Sequence, residues 1–551
     1  MTNQSTNTAR SIIEWLLDAG VEHVVVAPGS RSAPLSYAFA QAAASNNVTM
    51  HVRIDERDAG FLALGLAKAS GRPVPVVVTS GSAVANLLPA VVEAHYSGVP
   101  LIVLAADRPA SSRAHRAPQT IDQANIFGEF ASGGHVDVAL DDDVDAVLAS
   151  VFNSRHVHRG PIHINAQFDV PLMPDDATWS PTLGTHKVIV AKDLEAKVEL
   201  NVPAHGLVIV GDLNDPEAAR EIAELAERLG WPIIWETSSN THGATNALSH
   251  GVLLLDSMPT PDMVLSIGAV GLSRVTAKLL HATPQHISVH LDTDGPEVPD
   301  SFATAHQIVR GVPLATNTVD EQWLASWRAA DRMTSDIVVS QLRSQTLTGP
   351  SAAVQVWNHV SNSANVMVAA SWPVRHIEAY APSREGVRTF GNRGANGIDG
   401  LIATAWGVAC GSTSPTYLLI GDIAFLHDIG GLNVAEGQPR PDLTIVVLDN
   451  DGSGIFSQLE QGAPAYARHY EEVFGTPHGR DLWVIAEALG VPAKRVTTRD
   501  ELGLALELFD RIGGVNVIVC TTGNRKDENT LISTIREKVS ESLQESEAIR
   551  T

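Results

Sequence analysis

The sequence predicts an α/β protein made of three doubly wound parallel-sheet domains. Seven short runs of Val, Ile and Leu lack polar alternation, most end in a Gly-containing turn, and helix-length segments separate them. Strands buried on both faces show this uninterrupted apolar pattern, and the helix-length spacers complete βαβ units. The runs lie within residues 21–30, 74–83, 100–109, 206–215, 263–271, 416–425 and 443–452.

Two breaks divide the chain into predicted domains at residues 1–180, 181–348 and 349–551. Residues 172–186 are rich in Pro, Asp and Thr and show no periodicity. The second break falls at residues 348–351, where we expect Ser351 to cap a new helix. The last thirty residues are expected to form a charged helix with a frayed end.

The first and third predicted domains repeat one pattern of turn residues. Four residues recur 340 positions later: Gly60, Gly71, Pro75 and Gly81 are matched by Gly400, Gly411, Pro415 and Gly421. The run that ends at Asp107 has a counterpart ending at Asp449, 342 positions later. We therefore expect related folds in these two domains and a ligand held between two similar halves.

Composition narrows the possible functions. The chain has 38 basic and 62 acidic residues and a net charge of −24. Such a surface repels phosphate backbones and anionic headgroups, so neither nucleic acid nor membrane is expected as a partner. Two cysteines cannot form a disulfide framework, and neither a secretory signal nor a membrane-length apolar run is recognisable. These features indicate a cytoplasmic protein.

Two polar strand ends predict a metal site. Asp422 follows one predicted strand, and Asn450, 28 residues later, follows the next. This spacing places both at the carboxyl edge of adjacent parallel strands, where open α/β sheets bind ligands. Carboxylate, amide and backbone carbonyl oxygens suit Mg²⁺. Asp and Asn also end strands for reasons of turn geometry alone, but the pair at this spacing favours the metal site.

The segments Gly421-Asp422-Ile423 and Asp449-Asn450-Asp451-Gly452 resemble the diphosphate-binding motif of thiamine-diphosphate enzymes. The resemblance implies that Asp422, Asn450 and the carbonyl of Gly452 hold Mg²⁺ (or Mn²⁺), which bridges to thiamine diphosphate. Ile423 and Asp449 depart from the family pattern without removing an implied ligand. The resemblance also implies a pyrimidine-binding first domain, a central structural domain and a diphosphate-binding third domain.

The same resemblance assigns catalysis to Glu56, which precedes the predicted helix over residues 58–70. An ionised carboxylate bonded to the pyrimidine N1′ favours the imino tautomer of the cofactor, whose nitrogen deprotonates the thiazolium C2. Alternatively, Glu56 is only an acidic residue at a helix N-terminus that interacts with the helix dipole. Ile398 is implied as the apolar support of a bent cofactor, although an Ile at such a position is often only core. The other implied cofactor contacts are Thr79, Gly81, Asn86 and Ile455.

Further segments resemble the branch of this family that joins 2-oxoglutarate to isochorismate in menaquinone biosynthesis. They are residues 27–34, 53–57, 79–86, 107–109, 392–394, 425–428 and 454–456. The resemblance implies a transferase of aldehyde or ketone residues whose two substrates each carry two carboxylates. Arginine matches a carboxylate with a two-pronged fork. The implied substrate-binding residues are Ser30, Arg31, Ser32, Arg108, Gln119, Lys278, Ser371, Arg375, Arg393, Phe456 and Leu459.

In this family Glu56 of one subunit faces the metal site of another. The resemblance therefore implies a homodimer or a dimer of dimers with active sites between subunits. Two other functions stay open at this point. One is a different thiamine-diphosphate enzyme, a 2-oxoacid decarboxylase or an acetolactate-type synthase. The other is a cofactor-free scaffold that retains the fold, against which Glu56, Asp422 and Asn450 argue.

Overall fold

The structure is a computed structural model that describes residues 3–153, 159–176, 178–188, 197–291 and 300–546. The chain divides into two compact units. Unit 1 comprises Met1–Ala191, Asn392–Thr413 and His427–Pro441. Unit 2 comprises Lys192–Gly391, Ser414–Leu426 and Asp442–Thr551.

The strands, in chain order, are β1 (His23–Val26), β2 (Thr49–Val52), β3 (Val74–Val78), β4 (Leu101–Asp107), β5 (Gly134–Val138), β6 (Ile162–Gln167), β7 (Lys197–Asn201), β8 (Gly206–Val210), β9 (Ile233–Trp235), β10 (Met263–Ile267), β11 (Gln285–His290), β12 (Gln307–Arg310), β13 (Val312–Thr316), β14 (Asn365–Val368), β15 (Arg388–Phe390), β16 (Thr416–Gly421), β17 (Leu443–Asp449), β18 (Ala493–Val496) and β19 (Val515–Thr521).

The α-helices are α1 (Gln4–Asp18), α2 (Ala33–Ala44), α3 (Glu56–Ser70), α4 (Ser82–Ala85), α5 (Leu88–Tyr96), α6 (Ala110–Ala114), α7 (Val144–Phe152), α8 (Pro216–Leu229), α9 (Gly251–Leu254), α10 (Arg274–Ala282), α11 (Glu321–Gln341), α12 (Gly349–His359), α13 (Trp372–Tyr380), α14 (Leu401–Cys410), α15 (Asp422–His427), α16 (Ala467–Tyr470), α17 (Leu482–Ala488), α18 (Arg499–Ile512) and α19 (Arg525–Glu545). None of these described helices has the length and apolar character needed to cross a membrane.

Within the described residues, unit 1 contains one six-stranded sheet and unit 2 contains three sheets. The sheet of unit 1 has the order β2-β1-β3-β4-β6-β5. Unit 2 has a six-stranded sheet in the order β15-β14-β16-β17-β19-β18, a five-stranded sheet in the order β12-β11-β10-β8-β9, and the pair β13-β7. Neighbouring strands in all of them are parallel, which confirms the predicted fold class.

The two six-stranded sheets have the same topology. Counted from the first strand of each, both follow the order 2-1-3-4-6-5. Their fourth strands, β4 and β17, cover Leu101–Asp107 and Leu443–Asp449 and so keep the 342-residue offset seen in the sequence. The repeated turn residues therefore mark related folds, as predicted.

The seven apolar runs form β1, β3, β4, β8, β10, β16 and β17. Every residue of β3 and β4 is buried, because helices cover both faces of a parallel sheet. The charged C-terminal helix is α19, and residues 547–551 lie outside the described residues. The three long sheets fall one in each predicted domain range, while the boundaries at 180 and 348 stay predictions.

Two helix starts differ from the sequence-based expectation. Ser351 does not cap α12: Thr348 is the cap, its side chain accepts the N–H of Ser351, and the Ser351 side chain bonds back to Thr348. This reciprocal pair satisfies two otherwise unpaired amides, so the helix begins before Ser351. Glu56 is likewise the first residue of α3, because Asp55 caps it by accepting the N–H groups of Arg57 and Asp58.

Within unit 1, α3 and α14 pack through glycines. A Cβ on Gly65 would lie 2.0 Å from the carbonyl oxygen of Thr404, and a Cβ on Gly407 would lie 2.2 Å from that of Leu62. Such backbone-to-backbone approach is possible only where both helices lack side chains. The contact fixes the helix that begins at Glu56.

Candidate active site

Asp422 is the buried centre of a polar cluster at the carboxyl edge of unit 2's six-stranded sheet. It follows β16, and its Oδ1 accepts the N–H of Ile423 at 2.7 Å. Its Oδ2 accepts the N–H of Asn450 at 3.2 Å and that of Gly452 at 2.8 Å, both just beyond β17. The two predicted strand ends are therefore joined by direct hydrogen bonds.

Asn450 and Gly452 lie beside Asp422 at this edge of the sheet. The Oδ1 of Asn450 is buried and accepts no hydrogen bond from any described residue, an arrangement that is rare in proteins unless another group occupies the position. Gly452 has φ +136°, and a Cβ there would lie 2.2 Å from the carbonyl oxygen of Gly475. A carboxylate, an amide oxygen and a nearby backbone carbonyl form a donor set that suits a hard divalent cation.

His478 belongs to the same cluster, and no sequence motif marked it. Its Nε2 lies 3.5 Å from Oδ2 of Asp422 and 3.4 Å from Oδ1 of Asp449. The N–H of Arg480 donates to its Nδ1, so the neutral ring carries its proton on Nε2, facing the two carboxylates. The Asp422 carboxylate raises the pKa of His478 against the effect of burial. Burial, and then the charge of Asp422, raises the pKa of Asp449.

Ser371 lies at the start of α13, in unit 2, and Arg375 lies within that helix. Ser371 has φ +73°, and Arg375 donates to its carbonyl oxygen at 2.7 Å and to that of Leu272 at 3.1 Å. A Cβ on Gly454 would lie 2.4 Å from the ring of Trp372, so the segment with Ile455, Phe456 and Leu459 runs beside this helix start. These three apolar side chains are half-buried.

A second polar group lies at the carboxyl ends of β1, β3 and β4, in unit 1. Arg108 donates to Oγ of Ser80 at 3.3 Å and to the carbonyl oxygen of Gln119 at 3.1 Å. Gln119 has φ +59° and donates back to the carbonyl oxygen of Ser80. Arg31 donates to the carbonyl oxygen of Phe168 at 2.8 Å, and burial, followed by the charge of Arg108, lowers its pKa. The two guanidinium groups therefore act on each other, while the carboxylates of Asp107 and Asp169 partly offset their charge.

The loops around these arginines hold most of the other predicted contacts of unit 1. Ser30 and Ser32 flank Arg31, and a Cβ on Gly29 would lie 2.3 Å from Cβ of Thr79. Gly81 has φ +84° and donates its N–H to Oε1 of Gln123 at 3.0 Å. Asn86 is exposed at the end of α4.

Glu56 lies at the N-terminal end of α3. Its side chain is half-buried and makes no hydrogen bond or ion pair with any residue that the structure describes. The next acidic residue of the helix, Asp58, is buried beside Asp428, and one Nη2 atom of Arg57 lies 3.7 Å from the former and 3.3 Å from the latter. Sequence reasoning did not find this acidic pair, since 370 residues separate its members and no motif joins them.

Two of the remaining candidates lie in one loop, and one lies elsewhere. Arg393 and Ile398, both half-buried, belong to the loop of unit 1 that precedes α14. Lys278 is exposed on α10 in unit 2, where its Nζ lies 2.5 Å from Oδ1 of Asp256. The structure therefore places Lys278 in a surface ion pair and not among the buried polar residues.

Fold and site together define a thiamine-diphosphate enzyme. Residues 6–126 match the thiamine pyrophosphate enzyme N-terminal binding domain, and residues 372–520 match the corresponding C-terminal binding domain. The structure is similar, with TM-score 0.65 and 17% identity, to a Mycobacterium smegmatis protein described as thiamin diphosphate-dependent, covering 94% of this chain and 99% of that one. This last likeness concerns the fold alone.

Closer relatives specify the family. A 2-succinyl-5-enolpyruvyl-6-hydroxy-3-cyclohexene-1-carboxylate synthase of Kineococcus radiotolerans is 40% identical, covering 94% of this chain and 96% of the relative. A protein with the same name from a Nocardioides species is also 40% identical, covering 97% and 98%. The chain belongs to the family of these synthases, as the sequence motifs indicated.

Proposed function

We propose that the chain decarboxylates 2-oxoglutarate and adds the remaining four-carbon unit to the ring alkene of isochorismate in a conjugate manner, releasing CO₂. The relatives at 40% identity bear the name of an enzyme with this product. The supporting observation in the structure is the Arg31–Arg108 pair. In a chain of net charge −24, dianionic substrates need such local cations.

Asp422, Asn450 and the carbonyl of Gly452 would hold Mg²⁺ or Mn²⁺ together with the cofactor diphosphate. The buried, unpartnered Oδ1 of Asn450 fits this role. Thiamine diphosphate, when bound, supplies the carbon nucleophile and accepts the electrons that decarboxylation releases. Ile398 would support the bent cofactor, with Thr79, Gly81, Asn86 and Ile455 as further contacts.

Glu56 would accept a hydrogen bond at the pyrimidine N1′ and thereby hold the cofactor in its reactive tautomer. Its side chain is free for this contact as far as the described residues show. Arginines would orient the substrate carboxylates, which lowers the entropic part of the barrier. The set is Arg31, Arg108, Arg375 and Arg393, with Ser30, Ser32, Gln119 and Ser371 as polar partners and Phe456 and Leu459 as an apolar wall; the surface ion pair of Lys278 argues against including it.

We further propose a homodimer, or a dimer of dimers, in which Glu56 of one subunit acts on the cofactor held by another, and a cytoplasmic location. Mixing two inactive variants, Glu56→Gln and Asp422→Ala, tests the shared site. Each mixed dimer would contain one site with both native residues, so activity should return on subunit exchange. No return of activity, with exchange demonstrated by mass, would contradict a shared site.

The activity is tested by supplying 2-oxoglutarate and isochorismate with thiamine diphosphate and Mg²⁺. Loss of isochorismate together with release of CO₂ is the expected result. CO₂ release that does not depend on isochorismate would instead indicate a simple 2-oxoacid decarboxylase. If calorimetry detects no binding of thiamine diphosphate, the chain would instead be a cofactor-free scaffold that retains the fold.

The variant Glu56→Gln tests the catalytic assignment. Turnover should be abolished, because an amide cannot stabilise the reactive tautomer as a carboxylate does, while cofactor binding in calorimetry should persist. Turnover near that of the wild type would contradict the assignment.

A further inference from the structure

Glu93 joins the Arg393 loop to the sheet domain of unit 1. It lies on α5 and is buried. Its Oε1 accepts the N–H of Gly394 at 2.9 Å, and its Oε2 accepts the N–H of Ala395 at 2.7 Å. One carboxylate thus binds two consecutive backbone amides from a loop that lies 301 and 302 residues later in the chain. Hydrogen bonds to an ionised acceptor are shorter and stronger than those between neutral groups.

A buried cation compensates the charge of this carboxylate. Lys68, on α3, is also buried, and its Nζ lies 3.6 Å from Oε1 of Glu93. A buried carboxylate is strongly destabilising unless it is paired and hydrogen-bonded. Here the lysine and the two amides together meet that requirement, so α3, α5 and the loop are linked through Glu93.

Close backbone contacts hold the loop at both ends. A Cβ on Gly394 would lie 2.7 Å from the carbonyl oxygen of Glu93 and 2.9 Å from the amide nitrogen of Ser97, so the loop lies directly on the end of α5. At the other end, Gly400 has φ +60°, and a Cβ there would lie 1.8 Å from Cγ of Phe61 on α3. The loop backbone therefore has no room to move closer to α5 at Gly394 or to α3 at Gly400.

Arg393 immediately precedes the two anchored amides. Its guanidinium forms no hydrogen bond or ion pair with any residue in the described part of the chain. A long side chain on a fixed backbone loses less conformational entropy when it binds a ligand than the same side chain on a mobile loop. The anchoring of residues 394 and 395 therefore bears directly on how Arg393 presents its charge.

We propose that Glu93, held by Lys68, is a positioning residue whose carboxylate fixes the loop backbone so that Arg393 can bind a substrate carboxylate. The inference rests on the proposed function, because it takes Arg393 as a substrate-binding residue. Glu93 itself touches neither substrate nor cofactor in this scheme. Its effect should appear in substrate affinity more than in the chemical step.

Two variants separate the amide contacts from the charge. Glu93→Gln offers one oxygen and one NH₂ group, so the NH₂ group would oppose an N–H donor of the loop, and the negative charge opposite Lys68 would be removed. Glu93→Asp keeps the charge opposite Lys68 but withdraws the carboxylate by about 1.5 Å from the two amides. If the first variant does not fold, the second still tests the anchoring.

Asp18→Asn is the matched control in the same unit. The Asp18 carboxylate also accepts consecutive backbone amides, those of Gly184, Thr185 and His186. The control therefore makes the same acid-to-amide change in the same kind of contact, at a segment to which no site residue was assigned.

The experiment has two parts, each carried out on the wild type and on every variant. The first measures hydrogen exchange of residues 391–400 in the absence of substrate. The second measures KM and kcat for 2-oxoglutarate and for isochorismate. Both Glu93 variants should accelerate exchange at Gly394 and Ala395, and should raise KM for one substrate about tenfold with kcat within about twofold. Asp18→Asn should change neither quantity.

Unchanged exchange in the Glu93 variants would overturn the anchoring, and faster exchange with unchanged KM for both substrates would overturn the positioning role. An equal rise of KM in the Asp18→Asn control would show a merely structural effect and would also overturn the positioning role. A wild type without turnover would refute the proposed function separately, since the exchange measurement needs no activity.

Discussion

Replacement of Gly65 by alanine tests the glycine-mediated packing of α3 on α14. The added Cβ would lie 2.0 Å from the carbonyl oxygen of Thr404, whereas ordinary contact begins at 3.4 Å. The obstacle is helix backbone and cannot rotate away, so the two helices must separate by about an ångström. Overpacking of this kind costs roughly 1–3 kcal/mol. We expect local unfolding of both helices to become more frequent.

Hydrogen exchange by mass spectrometry, on peptides that cover residues 56–70 and 401–410, measures this change. The stated cost corresponds to roughly 5- to 150-fold faster exchange of the slow amides. Gly503→Ala, within α18, is the matched control. There the nearest atom to the new Cβ is Nε2 of Gln355 at 3.4 Å, which is ordinary contact distance.

In the control, hydrogen exchange should become slower instead of faster. Alanine stabilises a helix interior relative to glycine by roughly 0.5–1 kcal/mol, so exchange in α18 should slow by about two- to fivefold. Unchanged or slower exchange in α3 and α14 of Gly65→Ala, alongside the expected slowing in the control, would refute the packing argument. The helices would then have room that the structure does not show.

The remaining predictions concern charge. Asp422→Ala should weaken thiamine diphosphate binding, and any residual activity should require more Mg²⁺. A cofactor titration that matches the wild type at each Mg²⁺ concentration would show that the metal site lies elsewhere. Burial, and then the Asp428 carboxylate, raises the pKa of Asp58 from its ordinary value of 3.8 to about 7. The folded chain therefore keeps a proton that the unfolded chain releases, and this group's contribution to stability falls as the pH rises from about 4 to about 7 and then levels off. Asp58→Asn cannot ionise, so denaturant midpoints between pH 5 and pH 8 should fall less steeply for the variant than for the wild type; equal slopes would contradict the prediction.

Much of the architecture could be predicted from local sequence. The seven apolar runs are strands, because a parallel strand buried on both faces must be apolar along its length. The repeated turn residues predicted two related folds, and both six-stranded sheets indeed share one strand order. The cap of α12 could not be assigned correctly, since Thr348 and Ser351 both suit that role and only their reciprocal hydrogen bonds decide between them.

The polar site was predictable in part. Asp422 and Asn450 stood out because each ends a strand, and strand ends meet at one sheet edge whatever the remaining packing. Their direct connection, through the N–H of Asn450 to Oδ2 of Asp422, agrees with that reasoning. His478 could not be found in this way, because it follows no strand and reaches the two carboxylates through a loop that is positioned only on folding.

The sequence alone determined the fold class, through its apolar periodicity, and the family, through the resemblance of its motifs to those of thiamine-diphosphate enzymes. Tertiary structure alone decided which charges meet. Glu93 reaches the amides of Gly394 and Ala395, and Asp58 meets Asp428, across several hundred residues. Contacts between such distant residues depend on how the helices pack, and that packing has no signature in the local pattern of either partner.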